Sequence, residues 1–217
     1  MTDENKVGLW KEIETNPTES YKEYFEVETN FLKKKSNKNL AFLDIGCGDG
    51  RTLKNVGTFF KIAYGIDYNK KAVENAKKNL SGVENVEILF EDARAMDFEN
   101  ESIDIIFIGL TFSNFTDEII PPILNEIKRV LKDSGKFIFS CYNENSFEER
   151  WAFYKRLSPN EIEVVDRDKA YVKSRTSNEI SRGFSEKELR NVVNEFGFKV
   201  VEFIRGRIFN LMEAKKK

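Results

Sequence analysis

The sequence predicts an α/β protein whose doubly wound, mostly parallel sheet has seven strands, an antiparallel C-terminal hairpin and a cap insertion. Two observations predict this class. From residue 40 onward, short apolar segments rich in β-branched and aromatic residues alternate with amphipathic segments of helical period, as expected for parallel strands buried on both faces. A glycine-rich turn also follows the first of these strands. The ligand crevice of such a sheet lies at the carboxyl ends of its strands.

Four segments are expected within one domain spanning residues 1–217. Residues 1–37 precede the alternation, and aromatic and acidic residues at roughly helical spacing over 10–35 predict one or two helices. We expect these helices to pack over the mouth of the core. Residues 38–141 form the cofactor-binding core, with five strands predicted at Ala41–Ile45, Ile62–Ile66, Val86–Phe90, Ile103–Gly109 and Lys136–Ser140.

The helices between these strands are predicted from apolar residues at i, i+3, i+4 and i+7, most clearly over residues 120–131. Residues 142–184 form the cap, an aromatic helix around Trp151 followed by an alternating stretch that is typical of antiparallel strands. Residues 185–217 hold the final helix and the hairpin. The pair Ser185 and Glu188 predicts a capping box, Gly197 ends the helix, and a tight Arg205-Gly206 turn joins the last two strands.

The segment Phe42–Gly50, followed by Gly65-Ile66-Asp67, says most about function. It is typical of a buried strand, a glycine turn, a helix, a second strand and an acidic residue at that strand's end. The loop glycines lack a Cβ atom, so the turn can adopt positive φ and a ligand can lie directly against the backbone. Asp67 is placed to accept hydrogen bonds from two ribose hydroxyls. The motif therefore predicts a nucleoside site.

The glycine spacing is G-x-G-x-G, and not the G-x-G-x-x-G that seats a pyrophosphate on a helix N-terminus. Together with the terminal hairpin, the motif FLDIGCGDGR resembles that of the Rossmann-like class I S-adenosylmethionine-dependent methyltransferases, in particular the type 11-like small-molecule group. The resemblance covers residues 40–141 well and the final helix and hairpin more loosely. It implies S-adenosylmethionine as the cofactor.

The resemblance also assigns positions to the cofactor. Asp44 and the loop would approach its methionine and ribose portions, Tyr68 would lie against the adenine, and Asp92 would accept a hydrogen bond from the adenine amino group. The Ala93 backbone N–H would meet a ring nitrogen, and Gly109 would line the methyl-donor end. The complete implied set is Asp44, Gly46, Cys47, Gly48, Gly50, Asp67, Tyr68, Asp92, Ala93 and Gly109.

No catalytic residue is assigned. A sulfonium methyl is already electrophilic, so the protein mainly holds donor and nucleophile in line and excludes water. The chain has no histidine, the commonest base at neutral pH. An amine with an available lone pair and a carboxylate both react without an enzymic base, so these two acceptors are favoured over a phenol or an alcohol, which would need Tyr, Asp or Glu to act as one. Asn114 and Tyr142 are weak candidates for holding the substrate.

The composition limits the classes of binding partner that we expect. Lys plus Arg (35) nearly balance Asp plus Glu (37), so no basic face for nucleic acid is expected, and a small molecule is favoured. Apolar runs fall far short of the ~20 residues of a membrane helix, and the N-terminus does not resemble a signal peptide. A cytoplasmic protein without a membrane partner is expected. The two cysteines form no metal-site spacing, so no metal is expected, and the oligomeric state is left open.

Two alternatives stay open. A nicotinamide-dinucleotide oxidoreductase would need a proton donor at the hydride site, and no Tyr in the chain has a Lys four residues later. A methyltransferase-fold protein that binds the nucleoside but acts as a regulatory or partner subunit would carry the same glycine loop.

Overall fold

The computed structural model describes residues 10–157, 162–175 and 180–217. Its ten strands are β1 Ala41–Ile45, β2 Ile62–Asp67, β3 Val86–Phe90, β4 Ile103–Ile108, β5 Leu131–Tyr142, β6 Ile162–Asp166, β7 Tyr171–Ser174, β8 Ile180–Ser181, β9 Phe198–Arg205 and β10 Phe209–Lys216. Seven strands form one sheet in the order β3-β2-β1-β4-β5-β10-β9. The first five are parallel to one another, and β10 is antiparallel to both β5 and β9. The predicted fold class is confirmed.

The described helices are α1 over residues 10–15, α2 Glu19–Lys35, α3 Arg51–Val56, α4 Lys70–Asn79, α5 Ile120–Val130, α6 Phe147–Leu157 and α7 Glu186–Glu195. Local sequence explains several of their starts. Pro121 and Pro122 occupy the first turn of α5, where a missing N–H costs little. The predicted capping box of Ser185 and Glu188 opens α7, and the Asn69 side chain accepts two N–H bonds at the start of α4.

Apolar layers cover both faces of the sheet. On one face, Phe42 and Phe107 pack with residues of α2, α3 and α4. On the other, Leu43 and Ile106 pack with residues of α5 and α7. Neighbouring residues of one strand thus serve opposite layers, as a doubly wound sheet requires. None of the helices in the described ranges has the length and hydropathy of a membrane span.

The C-terminal hairpin differs from the prediction in its turn. We expected a two-residue turn at Arg205-Gly206, but Arg205 pairs with Asn210 and the connection runs over residues 206–208. The reason is a tertiary contact. The Asn143 side-chain nitrogen donates to the carbonyl oxygens of Gly206, Arg207 and Phe209 at 3.0, 3.3 and 3.2 Å, and holds the longer loop against the end of β5.

The cap contains the predicted antiparallel pairing, because β7 pairs with β6 and with β8 in that sense. Parts of the predicted segments, at residues 1–9, 158–161 and 176–179, lie outside the described residues.

Candidate active site

A cavity of about 150 Å³ lies at the carboxyl ends of β1, β2 and β4. The loop after each strand contributes to its wall, as expected for a sheet whose strand order reverses there. Eight sequence-predicted residues line it: Asp44, Gly46, Cys47, Gly48, Asp67, Tyr68, Gly109 and Asn114. Gly50, Asp92, Ala93 and Tyr142 are not among its lining residues. One cavity thus gathers most of the site implied by the resemblance.

The three loop glycines have different structural roles, although all three have positive φ. A Cβ atom at Gly46 would lie 2.7 Å from Thr111 Cγ2, and one at Gly50 would lie 2.6 Å from Leu80 Cδ1. These two positions are closed by packing. A Cβ atom at Gly48 would meet nothing within 4 Å, and this glycine lines the cavity. Gly48 is therefore where the backbone leaves room for a ligand.

Asp67 connects the end of β2 to the glycine loop. Its Oδ2 atom accepts a hydrogen bond from the Gly48 N–H at 3.0 Å, and its Oδ1 atom accepts one from the Asn69 N–H at 2.8 Å. These bonds fix the orientation of the carboxylate at the cavity wall. They also couple the residue predicted to bind ribose to the glycine that leaves room for the ligand.

Asp44 lies deeper and is only 3% exposed. Burial raises the pKa of its carboxyl well above the usual value, the negative charges of Glu28 and Asp67 raise it further, and Arg51 opposes the shift. Burial likewise raises the pKa of the Cys47 thiol well above its usual value, so this cysteine is a thiol, and not a nucleophilic thiolate, at neutral pH.

Arg51, the first residue of α3, is a cavity residue that the sequence did not indicate. Its Nη2 atom donates to both carboxylate oxygens of the buried Glu28, at 2.8 and 3.0 Å, and its guanidinium lies 4.4 Å from the Phe25 ring centroid. Its Nη1 atom is buried and has no hydrogen-bond acceptor within the described ranges. A donor without a partner on a cavity residue is a contact that a ligand anion could complete.

Helix α1 supplies three further lining residues that were not predicted as site residues, Trp10, Lys11 and Glu14. The pKa of Glu14 is raised to about 7, mainly by burial and then by the charge of Asp49, against the opposing charge of Arg51. Glu14 can therefore exchange a proton near neutral pH. Aromatic and acidic residues predicted the helix over the core, but only the fold shows which of them face the cavity.

Of the residues predicted to contact adenine, Tyr68 lines the cavity, whereas Asp92 and Ala93 do not. The Asp92 carboxylate accepts hydrogen bonds from the Arg94 backbone N–H, Nε and Nη2, and these bonds lower the pKa of Asp92. Tyr68 follows β2, Phe90 is the last residue of the neighbouring β3, and the two residues are 62% and 59% exposed. The roles of Asp92 and Ala93 stay predictions, and a ligand amino group would share the Asp92 carboxylate with Arg94.

A second cavity, of about 60 Å³, shares Trp10 and Asn114 with the first. Tyr142 lines this cavity, and its hydroxyl lies 2.8 Å from that of Tyr21. Burial raises the pKa of Tyr142 well above the usual value, so Tyr142 is a neutral phenol and not a base at neutral pH. Asn114, the other weak candidate, lines both cavities.

Comparison with known proteins shows which family this part of the chain matches. Residues 43–139 match the family described as a methyltransferase domain. Demethylmenaquinone methyltransferases from Staphylococcus aureus are similar, with 30% identity for strain MRSA252 and 32% for strain JH9, each over 126 residues. Each match covers 54% of this chain and 50% of the relative, so the chain spans about half the length of the curated relatives it matches.

Solved structures agree on the fold. A protein from Pyrococcus horikoshii OT3 has a TM-score of 0.71 and 22% identity over 92% of each chain. A SAM-dependent methyltransferase from Aquifex aeolicus has a TM-score of 0.67 and 19% identity over 95% of this chain and 98% of its own. The chain thus carries a methyltransferase domain with the class I fold. This match agrees with the motif resemblance, which implies S-adenosylmethionine as the cofactor.

The residues present fit that cofactor. Gly48 leaves open space, and Asp67 presents a fixed carboxylate for hydroxyl groups. The Arg51 Nη1 atom suits a carboxylate group, and the buried Asp44 suits an ammonium or sulfonium charge. The cavity wall therefore has a donor for the carboxylate, an acceptor for the hydroxyl groups and a carboxyl group for the cationic end of S-adenosylmethionine.

Proposed function

We propose that this protein moves a methyl group from S-adenosylmethionine to a small-molecule nucleophile, an amine or a carboxylate, by in-line displacement. The observation that carries the proposal is that two cavities share Trp10 and Asn114 in their walls, and we call this shared wall the junction. One has the residues that fit the cofactor, and the other has aromatic walls from α6 and residues of the cap strands. A nucleophile at the junction would lie beside the methyl-donor end of the first cavity, where Gly109 is placed by the resemblance.

The cofactor supplies an electrophilic methyl group on sulfur, so this chain's residues mainly bind, orient and exclude water. A carboxylate acceptor needs no base. An amine is mostly protonated at neutral pH and must lose a proton before it can attack. Glu14 lines the cofactor cavity with a pKa of about 7, and we assign it to accept that proton, directly or through water.

A small acceptor is supported by two observations. The second cavity measures about 60 Å³, which suits part of a small molecule and not a folded polymer. The curated relatives are named for demethylmenaquinone, a quinone. The quinone itself is not assigned to this chain, because the match covers half of those relatives.

Methyl transfer is tested directly by incubating the purified protein with S-adenosylmethionine labelled on the methyl group and with panels of amines and carboxylates. The expected result is labelled product together with an equal amount of S-adenosylhomocysteine. Gly48→Val is the control, because a branched side chain at a positive-φ position that faces the cavity should abolish cofactor binding. Cofactor binding without transfer to either panel would contradict the proposal and favour the regulatory-subunit alternative.

A further inference from the structure

Arg150 of α6 is a buried cation with neutral partners. The residue is 2% exposed. Its Nη1 atom donates to the Ala170 carbonyl oxygen at 2.8 Å and to Ser146 Oγ at 3.3 Å, and its Nη2 atom donates to Ser181 Oγ at 2.7 Å. Its guanidinium lies 4.2 Å from the ring centroid of Tyr142. All of these contacts involve uncharged groups.

The charge of Arg150 is not neutralised by the described part of the chain. No carboxylate there forms an ion pair with it, and its Nε atom is buried without an acceptor. A buried cation is normally paired, because removing an ion from water carries a large free-energy cost. Arg182 makes the contrast, since it also has a buried Nε atom without an acceptor but forms an ion pair with Asp117.

Arg150 lines the second cavity and not the first. The same cavity is walled by the aromatic residues Trp10, Tyr21, Tyr142, Phe153 and Tyr154. An anion entering there would meet an unpaired guanidinium in a region of low dielectric constant, where a charge-assisted, planar contact is strongest. The aromatic walls suit a flat apolar body attached to that anion.

We propose that the second cavity binds a methyl acceptor that carries a carboxylate on an aromatic body, and that Arg150 pairs with this carboxylate. The inference rests on the proposed methyl transfer and narrows its substrate class. Because Arg150 is absent from the cofactor cavity while Asn114 lines both, the carboxylate is the anchoring group. The nucleophile is a separate group at the opposite end of the acceptor, at the junction.

The hydrogen bonds of Arg150 also join α6 to Ala170 and Ser181 of the cap. A purely structural arginine would explain those bonds and its burial. It would not make the cavity prefer an anion over an uncharged molecule of the same shape. The experiment therefore compares the affinity of the cavity for an anion with its affinity for an uncharged molecule of the same shape.

The experiment measures binding of benzoate, phenylacetate and indole-3-acetate, each paired with its primary amide, by calorimetry. Titrations are made with and without S-adenosylhomocysteine, whose own binding is measured separately. We expect at least one acid to bind about tenfold or more tightly than its amide. Equal affinities, or no binding of any acid, would overturn the proposal. Failure of S-adenosylhomocysteine to bind would count against the proposed function, while the acid–amide comparison still decides about this cavity.

Variants assign the preference to a residue. Arg150→Gln should abolish the preference for acids, whereas Arg182→Gln, which removes an arginine outside both cavities, should keep it. Lys173 also lines the second cavity, so Lys173→Gln should keep the preference too. Where Arg150→Gln does not fold by circular dichroism, Arg150→Lys decides, because it retains the charge but not the planar fork. The Lys variant should keep a weakened preference, because its charge remains. A preference that a folded Arg150→Gln variant retains, or that only Lys173→Gln removes, would refute the assignment.

Discussion

At the scale of single residues, Asp44 shows how the cofactor cavity opposes folding. Its folded-state pKa is raised by burial and by neighbouring carboxylates, so the folded protein holds this proton more tightly than the unfolded chain. The stability that this tighter proton binding contributes is fully present below the Asp44 pKa of the unfolded chain. It is lost as pH rises through the Asp44 pKa of the folded protein. Ionising Asp44 in the ligand-free protein therefore lowers its stability.

Asp44→Asn should raise the stability of the ligand-free protein at pH 7.5 by about 1 kcal/mol, because the amide carries no buried charge. The same change should weaken S-adenosylmethionine binding, because the site loses a negative charge. Chemical denaturation and calorimetry measure the two effects. A less stable variant with normal affinity would show that Asp44 is a packing residue.

Asp67→Ala should weaken binding of S-adenosylhomocysteine by about 1–3 kcal/mol, the cost of leaving hydrogen-bonding groups without partners. The structure adds a stability cost of about 1 kcal/mol, because the Gly48 and Asn69 N–H groups also lose their acceptor. Calorimetry and thermal unfolding separate these effects. Unchanged affinity would remove Asp67 from the ribose site.

Glu14→Gln should flatten the pH profile of kcat/KM for an amine acceptor. With a pKa of about 7, Glu14 is protonated below that pH and available as a base above it, so the wild-type rate should rise through pH 7 and then level off. The variant should lose about 10²-fold or more at pH 8. An unchanged profile would mean that the acceptor loses its proton to solvent.

The residues of the site differ in how far the sequence could predict them. Gly48 and Asp67 follow buried strands, so their placement is local and the motif indicates both. The cavity role of Arg51 depends on Glu28, 23 residues away on α2, and that of Glu14 depends on how α1 packs. Neither relation leaves a pattern in a single sequence.

At the scale of elements, β1 and β3 were predicted with the observed bounds because each is a short apolar run between polar turns. The start of β5 was predicted five residues too late. Leu131 continues the apolar period of α5, but it pairs with Ile103 of β4, and this pairing is a tertiary property. The prediction of a two-residue hairpin turn was wrong for a similar reason, because the turn depends on its tertiary contact with Asn143.

Asn143→Ala should destabilise the protein by about 2–3 kcal/mol, because the backbone carbonyls held by its side chain lose their donor in a buried place. Asn143→Asp should be worse at pH 8 than at pH 5. A carboxylate facing carbonyl oxygens has a raised folded-state pKa, so the Asp variant becomes less stable as pH rises. Denaturant unfolding of both variants tests the account, and wild-type stability in either would refute it.

At the scale of the whole molecule, the sheet and the segments added to it contribute to different cavities. The regular β1–β4 half presents the cofactor cavity at its carboxyl ends, while α1, α6 and the cap strands line the second cavity. The β1–β4 half alternates strands and helices regularly, so its fold class was predicted from the hydrophobic period and the glycine motif. The second cavity is built from residues of distant segments. The position of Arg150, its lack of an ion pair among the described residues and its aromatic surroundings are therefore visible only in the fold.

Parallel calorimetric titrations of the purified protein with S-adenosylmethionine, S-adenosylhomocysteine and NADH identify the cofactor. We predict saturable binding of the first two ligands, loss of both in Gly48→Val, and no binding of NADH. Binding of NADH alone, or wild-type affinity for S-adenosylhomocysteine in a folded Gly48→Val variant, would contradict this prediction.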